Sequence, residues 1–181
     1  MNAYVALLRG INVSGANKIF MLELKNLFLD LGLSNPTTYL QSGNVVFLTR
    51  QKDTNKLELL IKSKINENYG YNIKVFVIPK LIFLNVYSRN PFINKPDIDV
   101  KKLCSVFLSD IPIKEDFDRI KNEPTFDEEL ELDERIIYMY CTNGFGKAKV
   151  TNNYLERKLK LNATSRNWNT VTNIQKLLEN I

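Results

Sequence analysis

Residues 37–48 read TTYLQSGNVVFL, and the fold turns on this stretch. Two short runs rich in β-branched and aromatic residues, 37–40 and 45–48, flank Ser42-Gly43-Asn44. Glycine and asparagine tolerate positive φ, so the segment predicts an antiparallel hairpin. Working outward, residues 3–8 form an apolar run that ends in the polar loop Arg9-Gly10-Ile11-Asn12, which marks a first strand. Between strand and hairpin, Phe20, Leu24, Leu27, Phe28 and Leu31 recur at helical spacing. Leu31-Gly32-Leu33 there reads as a glycine C-cap with an apolar residue beyond it. Past the hairpin, Asp53 or Thr54 caps a second helix whose apolar positions are Leu57, Leu60, Ile61 and Ile65. Gly70 stops that helix before a strand at 73–78. The order is β, α, β, β, α, β.

The same order recurs. Pro79 ends the fourth strand, and a helical run at 81–87 with a loop holding Asn90-Pro91-Phe92 and Pro96 connects to a second unit. Residues 102–108 predict a strand, and Ile113, Phe117 and Ile120 mark a short helix that Pro112 opens. A second hairpin turns at Asp133-Glu134 between 126–132 and 136–141. Asn152 or Asn153 caps a helix bearing Leu155 and Leu159, and Thr164-Ser165 forms a strand stub. Val171, Ile174, Leu177 and Ile181 then face inward on a closing helix. The fold class expected is α+β: a tandem pair of ferredoxin-like (βαββαβ) modules with antiparallel sheets and a C-terminal helix. The modules are expected at 1–78 and 101–181, joined by a connecting helix and loop at 79–100. One continuous sheet covered by helices uses the same elements with different strand neighbours and stands as the rival.

The composition of the 181 residues, 44% apolar and 25% charged, is that of a globular protein and excludes disordered and collagen-like chains. No apolar run reaches the roughly 18 residues that a membrane span needs, and Arg9 interrupts the N-terminal apolar run; a cytoplasmic protein is expected. The absence of histidine removes Ser-His and Cys-His nucleophilic catalysis and histidine-ligated zinc. Cys104 and Cys141 lie in apolar runs without metal-ligand spacing, and are expected as buried thiols brought close by antiparallel pairing. The net charge of +5 is compatible with anionic partners and identifies none.

Several stretches carry a family likeness. Leu8-Arg9-Gly10-Ile11-Asn12-Val13, Asn17-Lys18 and Thr38-Tyr39-Leu40-Gln41-Ser42-Gly43-Asn44-Val45-Val46-Phe47 resemble the signature of the bacterial family catalogued as domain of unknown function 1697. Asn90-Pro91-Phe92 and the closing Thr164-Ser165-Arg166-Asn167-Trp168-Asn169-Thr170 agree with it. The resemblance implies a pair of ferredoxin-like modules and no assigned reaction. Ser14 departs from the family pattern, which often has a second glycine there.

Candidate sites follow from topology. In a βαββαβ sheet of strand order 4-1-3-2, the end of strand one lies beside the start of strand three. Arg9, Asn12, Asn17 and Lys18 are thereby expected to meet Gln41, Ser42 and Asn44, where backbone N–H groups and two cations suit a phosphate. All these glycines and asparagines also serve as turn formers. In the second module the same geometry brings Lys147 and Lys149 toward Arg166, Asn167 and Trp168. There Trp168 could stack on a base while Arg166 pairs with phosphate, or Trp168 could anchor the last helix that Asn167 or Asn169 caps. The acidic run Asp127, Glu128, Glu129, Glu131, Asp133 and Glu134 is read as a solvated strand edge, and no metal or cofactor is expected. The leading function is a noncatalytic module for a phosphate-bearing small molecule or nucleic acid. An enzyme using Lys18 or Tyr39 for proton transfer on a small anionic substrate, and an interaction or assembly module, are the alternatives.

Overall fold

The computed structural model describes residues 1–13 and 15–181; Ser14 lies outside them. The elements run β1 (Asn2–Arg9), α1 (Met21–Asp30), β2 (Ser34–Tyr39), β3 (Asn44–Thr49), α2 (Thr54–Tyr69), β4 (Lys74–Pro79) and α3 (Lys80–Ser88). They continue as β5 (Leu103–Leu108), α4 (Lys114–Lys121), β6 (Glu128–Asp133), β7 (Ile136–Cys141), α5 (Asn152–Leu159), β8 (Ala163–Asn167) and α6 (Trp168–Glu179). The strands form two separate four-stranded antiparallel sheets, β2-β3-β1-β4 and β6-β7-β5-β8. Each has the 4-1-3-2 order of a ferredoxin-like module, so the two-sheet expectation holds and the single-sheet rival fails. The chain divides into one unit of Met1–Asn85 with Asn173–Ile181 and a second of Val86–Thr172.

In the first unit, one face of the sheet (Tyr4, Ala6, Leu8, Val45, Phe47, Val75, Val77) packs with Leu24, Leu27 and Phe28 of α1 and Leu57, Ile61 and Ile65 of α2. The α1 terminus is a full Schellman closure: Gly32 at φ 73 lets its N–H reach Leu29 O at 2.9 Å and the Leu33 N–H reach Phe28 O at 3.0 Å. Asp53 caps α2 through the Lys56 N–H, and Gly70 ends it at φ 72. Leu60, expected inward, is 43% exposed, because the buried stripe of α2 follows 57, 61 and 65.

In the second unit the corresponding core joins Cys104, Val106, Leu108, Ile137, Met139 and Cys141 to Phe117, Ile120, Leu155 and Leu159. Four local expectations need correction. Pro112 does not open α4, since Ile113 takes the N-cap position and is exposed. Thr151 caps α5, not Asn152 or Asn153, because its hydroxyl accepts the Tyr154 N–H. The Thr164-Ser165 stub is a full edge strand, β8, held along β5. On α6 the buried position is Leu178 where Leu177 was expected, and Ile181 lies past the helix. Cys104 and Cys141 are free, buried and on adjacent strands β5 and β7 of one sheet face, as expected. No helix is long and apolar enough to cross a membrane among the described residues.

Candidate functional site

The two units provide an internal comparison, because they share one strand topology. The Leu8 N–H donates to Gly43 O at 2.8 Å at the mouth of the first hairpin, and the Leu108 N–H donates to Arg135 O at 2.9 Å at the mouth of the second. Leu8 and Leu108 therefore hold equivalent places. At this end the first unit is far more elaborate. From Arg9 to Met21 eleven residues intervene, against five from Leu108 to Lys114; the hairpin loop holds four residues, against two in the second. A βαββαβ unit closes without this extra chain, and long ordered loops on a rigid sheet are where binding functions concentrate.

The extra chain is braced by its own side chains. Asn12 Nδ2 donates to Ile19 O and Gln41 O, its Oδ1 accepts the Ile19 N–H, and its backbone sits at φ 53. Asn17, at φ 48, donates to Gly10 O. Buried Asn44 donates to Tyr39 O and Ser42 Oγ. The loop after β1 and the hairpin thus meet through Asn12, as the topology implied, while Asn17 braces the loop and Asn44 the hairpin.

The cations occupy different ground. Lys18 is exposed, lies 4.8 Å from the Phe20 ring centroid, and has no ion-pair partner among the described residues. Phe20, at the N-cap of α1, supplies no side-chain hydrogen bond to the helix, leaving the partial positive charge of its first turn without that cap. Half-buried Arg9 stands directly opposite Lys74 of β4. Tyr71, three residues before Lys74, places its hydroxyl 3.5 Å from Lys18 O and stacks on Tyr69 at 5.8 Å. Lys74 and Tyr71 were not singled out from sequence, and Phe20, expected among the apolar positions of the first helix, is instead exposed at its N-cap. The signal was available, since the strand order that lays strand three beside the end of strand one does the same for the start of strand four.

The second predicted cluster is differently built. Arg166 does not lie in a loop: it is in β8, 8% exposed, with Nη1 donating to Thr164 Oγ1 and Ser165 O. Pairing of β8 along β5 draws that position into the sheet. Trp168 is buried and stacked on Tyr87 at 5.3 Å, and Asn167 caps α6 by accepting the Thr170 N–H. Lys149 is tied to Thr125 O and lies 3.8 Å from Asp127, while Lys147 stays exposed on its own. The acidic run lies on and beside edge strand β6, where Glu129 meets Lys95, Glu131 meets Lys121 and Asp133 meets Arg89.

The profile of the family described as "Protein of unknown function (DUF1697)" matches residues 1–138. The chain belongs to this DUF1697 family. Among solved structures it is similar to the conserved bacterial protein SP0830 from Streptococcus pneumoniae, at 22% identity and a TM-score of 0.76, over 99% of both chains. At that identity the likeness concerns the fold, and it extends through the second sheet of this DUF1697 protein, beyond the part the family profile matches. No curated protein matches the sequence.

Proposed function

We propose that this DUF1697 protein is a noncatalytic binding module that takes a phosphate-bearing ligand, a nucleotide or nucleic acid, at the loop end of β1. The observation that carries the reading is the Arg9–Lys74 pair. Like charges directly opposite on neighbouring strands are unfavourable. The topology does not require them, because the equivalent positions of the second unit hold Ser109 and Asn162, which join through the Ser109 N–H to Asn162 O bond at 2.9 Å. Two cations abreast suit a phosphate, and Lys18 adds a third at the same end, beside the first turn of α1 with its one acid, Glu23. Phe20 and Tyr71 offer ring surface for a base beside these charges.

A binding role is favoured over catalysis by the setting of Lys18. Its ammonium rests over an aromatic ring and makes no side-chain hydrogen bond among the described residues, which leaves it open to an anionic group. Tyr39, the other candidate, ends β2 opposite Asn44 on the far side of the hairpin from Lys74.

The test is thermal shift and calorimetry with pyrophosphate, adenine nucleotides, a sugar phosphate and short single-stranded RNA, each at low and high salt. Lys18→Ala and Lys74→Ala are expected to weaken binding by about tenfold each, the worth of one charge-assisted hydrogen bond. Lys147→Ala in the second unit leaves it unchanged. RNA binding would fall steeply with salt through counterion release, and mononucleotide binding less so. Failure of every probe to raise the melting temperature, or affinity unchanged from the parent protein in both unit-one variants, overturns the proposal.

A further inference from the structure

The second sheet carries a polar row that the first sheet does not. In register, Ser105 of β5 lies between Tyr138 of β7 and Arg166 of β8; at the equivalent places of the first unit, Val5 lies between Val46 and Ile78. Directly paired residues share a face with Cα atoms about 4.5–5.5 Å apart, so three polar side chains stand abreast where the same fold elsewhere uses three apolar ones.

Residues 89–92 lie over this row. Arg89 bonds Asp133, the register partner of Ile136, at 2.6 Å, and the Phe92 ring lies 6.5 Å from that of Tyr140. Ile136, Tyr138 and Tyr140 alternate onto one face, so residues 89–92 cross the face that carries Tyr138, with Asn90 between the two anchors along the chain.

Asn90, Ser105, Tyr138 and Arg166 are 3%, 0%, 1% and 8% exposed. Asn90 Oδ1 accepts the Phe92 N–H, but Asn90 Nδ2, Ser105 Oγ and Tyr138 OH have no hydrogen-bond partner among the described residues. Buried polar atoms in native proteins are almost always paired, and an unpaired one costs roughly 1–3 kcal/mol. Three of them grouped beside a buried guanidinium call for a common partner. Burial pulls Arg166 down to about 10 and pushes the Tyr138 hydroxyl up, so at neutral pH one is a desolvated cation and the other a phenol with a proton to donate.

We infer that Arg166, Ser105, Tyr138 and Asn90 form a binding site for a small oxyanion, the carboxylate or phosphate group of a compact ligand. The groups it would meet are donors, an amide, two hydroxyls and a guanidinium, while Glu131, next in the row beside Tyr138, gives its carboxylate to Lys121. This site is separate from the β1 loop end and does not depend on it.

The experiment uses the full chain, with the side-chain Nε–Hε resonance of Arg166, assigned by comparison with Arg166→Lys, as the local readout. Inorganic phosphate, acetate and malonate are titrated separately to tell a phosphate from a carboxylate. At least one is expected to shift that resonance and to raise the melting temperature. Ser105→Ala and Tyr138→Phe should weaken the response by about tenfold or more. Neither should lower the melting temperature without ligand, because each removes an unpaired group. Lys74→Ala should leave the response intact, which separates this site from the one at the β1 loop end. A resonance that no probe moves, or unchanged affinity in both hydroxyl variants, overturns the inference and leaves a hydrated polar row only.

Discussion

Glu58 and Glu156 make the same kind of contact in the two units, at edge-strand positions two residues apart. Each stands five residues after its helix cap, Asp53 or Thr151, and directly follows a buried leucine, Leu57 or Leu155. Each turns its Oε1 to the backbone of an edge strand, where Glu58 accepts the Val77 N–H at 2.8 Å and Glu156 accepts the Ala163 N–H at 2.9 Å. An edge strand exposes N–H groups that would otherwise pair with another chain, and a carboxylate from the covering helix satisfies one of them.

Replacing either glutamate with alanine removes a charge-assisted acceptor from a partly buried N–H. Each variant is expected to lose roughly 1–3 kcal/mol in urea unfolding. Amide exchange should quicken at Val77 in one and at Ala163 in the other. Unchanged stability in both would show that water serves these edges equally well.

Element order was legible because each helix and strand advertises its own period and stops. Gly32 and Gly70 ended their helices as read, and Ser42-Gly43-Asn44 made the turn. The repeat between units was legible only as order: the matched pairs Leu57-Glu58 and Leu155-Glu156 emerge once Thr151, not an asparagine, is known to be the cap. Arg166 was misjudged for a physical reason. Polar residues in a short stretch read as a loop, whereas pairing along β5 makes this one a strand, and only three-dimensional neighbours reveal that its row is buried. Lys74 was missed because it lies some sixty residues from Arg9, a separation that no local pattern bridges.

Gly43 and Gly10 both have positive φ, 71 and 72, yet they are expected to respond differently to alanine. A Cβ on Gly43 would lie 2.7 Å from Leu8 Cβ and 2.8 Å from Ile11 Cδ1, both side chains being buried, whereas one on Gly10 meets nothing within 4 Å. Gly10→Ala should cost about 1 kcal/mol from backbone strain alone. Gly43→Ala should cost roughly 1–3 kcal/mol more from overpacking. Equal denaturation midpoints would contradict the close approach of hairpin and loop.

The two thiols give a signed pH dependence. Burial raises Cys141 from 9.0 to about 12, and raises Cys104 well above 9.0, with the neighbouring Cys141 adding to it. The folded state therefore holds its thiol protons where the unfolded chain releases them. The stabilisation is fully present below pH 9.0 and is lost as pH climbs from there through about 12. Melting temperature should fall over that interval, and less steeply in Cys141→Ala. At pH 8 the native protein should resist a thiol-specific disulfide reagent until it is unfolded.

The loop end of β1 is the central claim, and amide chemical shifts during titration with pyrophosphate address it most directly. Shifts are expected to concentrate at Gly10, Asn12, Asn17, Lys18 and the first turn of α1, with Lys74 following. The equivalent end of the second unit, Ser109 and Asn162, should stay still. Shifts spread evenly over exposed lysines in both units, or none at all, would contradict the account and return Arg9, Lys18 and Lys74 to the role of ordinary surface charges.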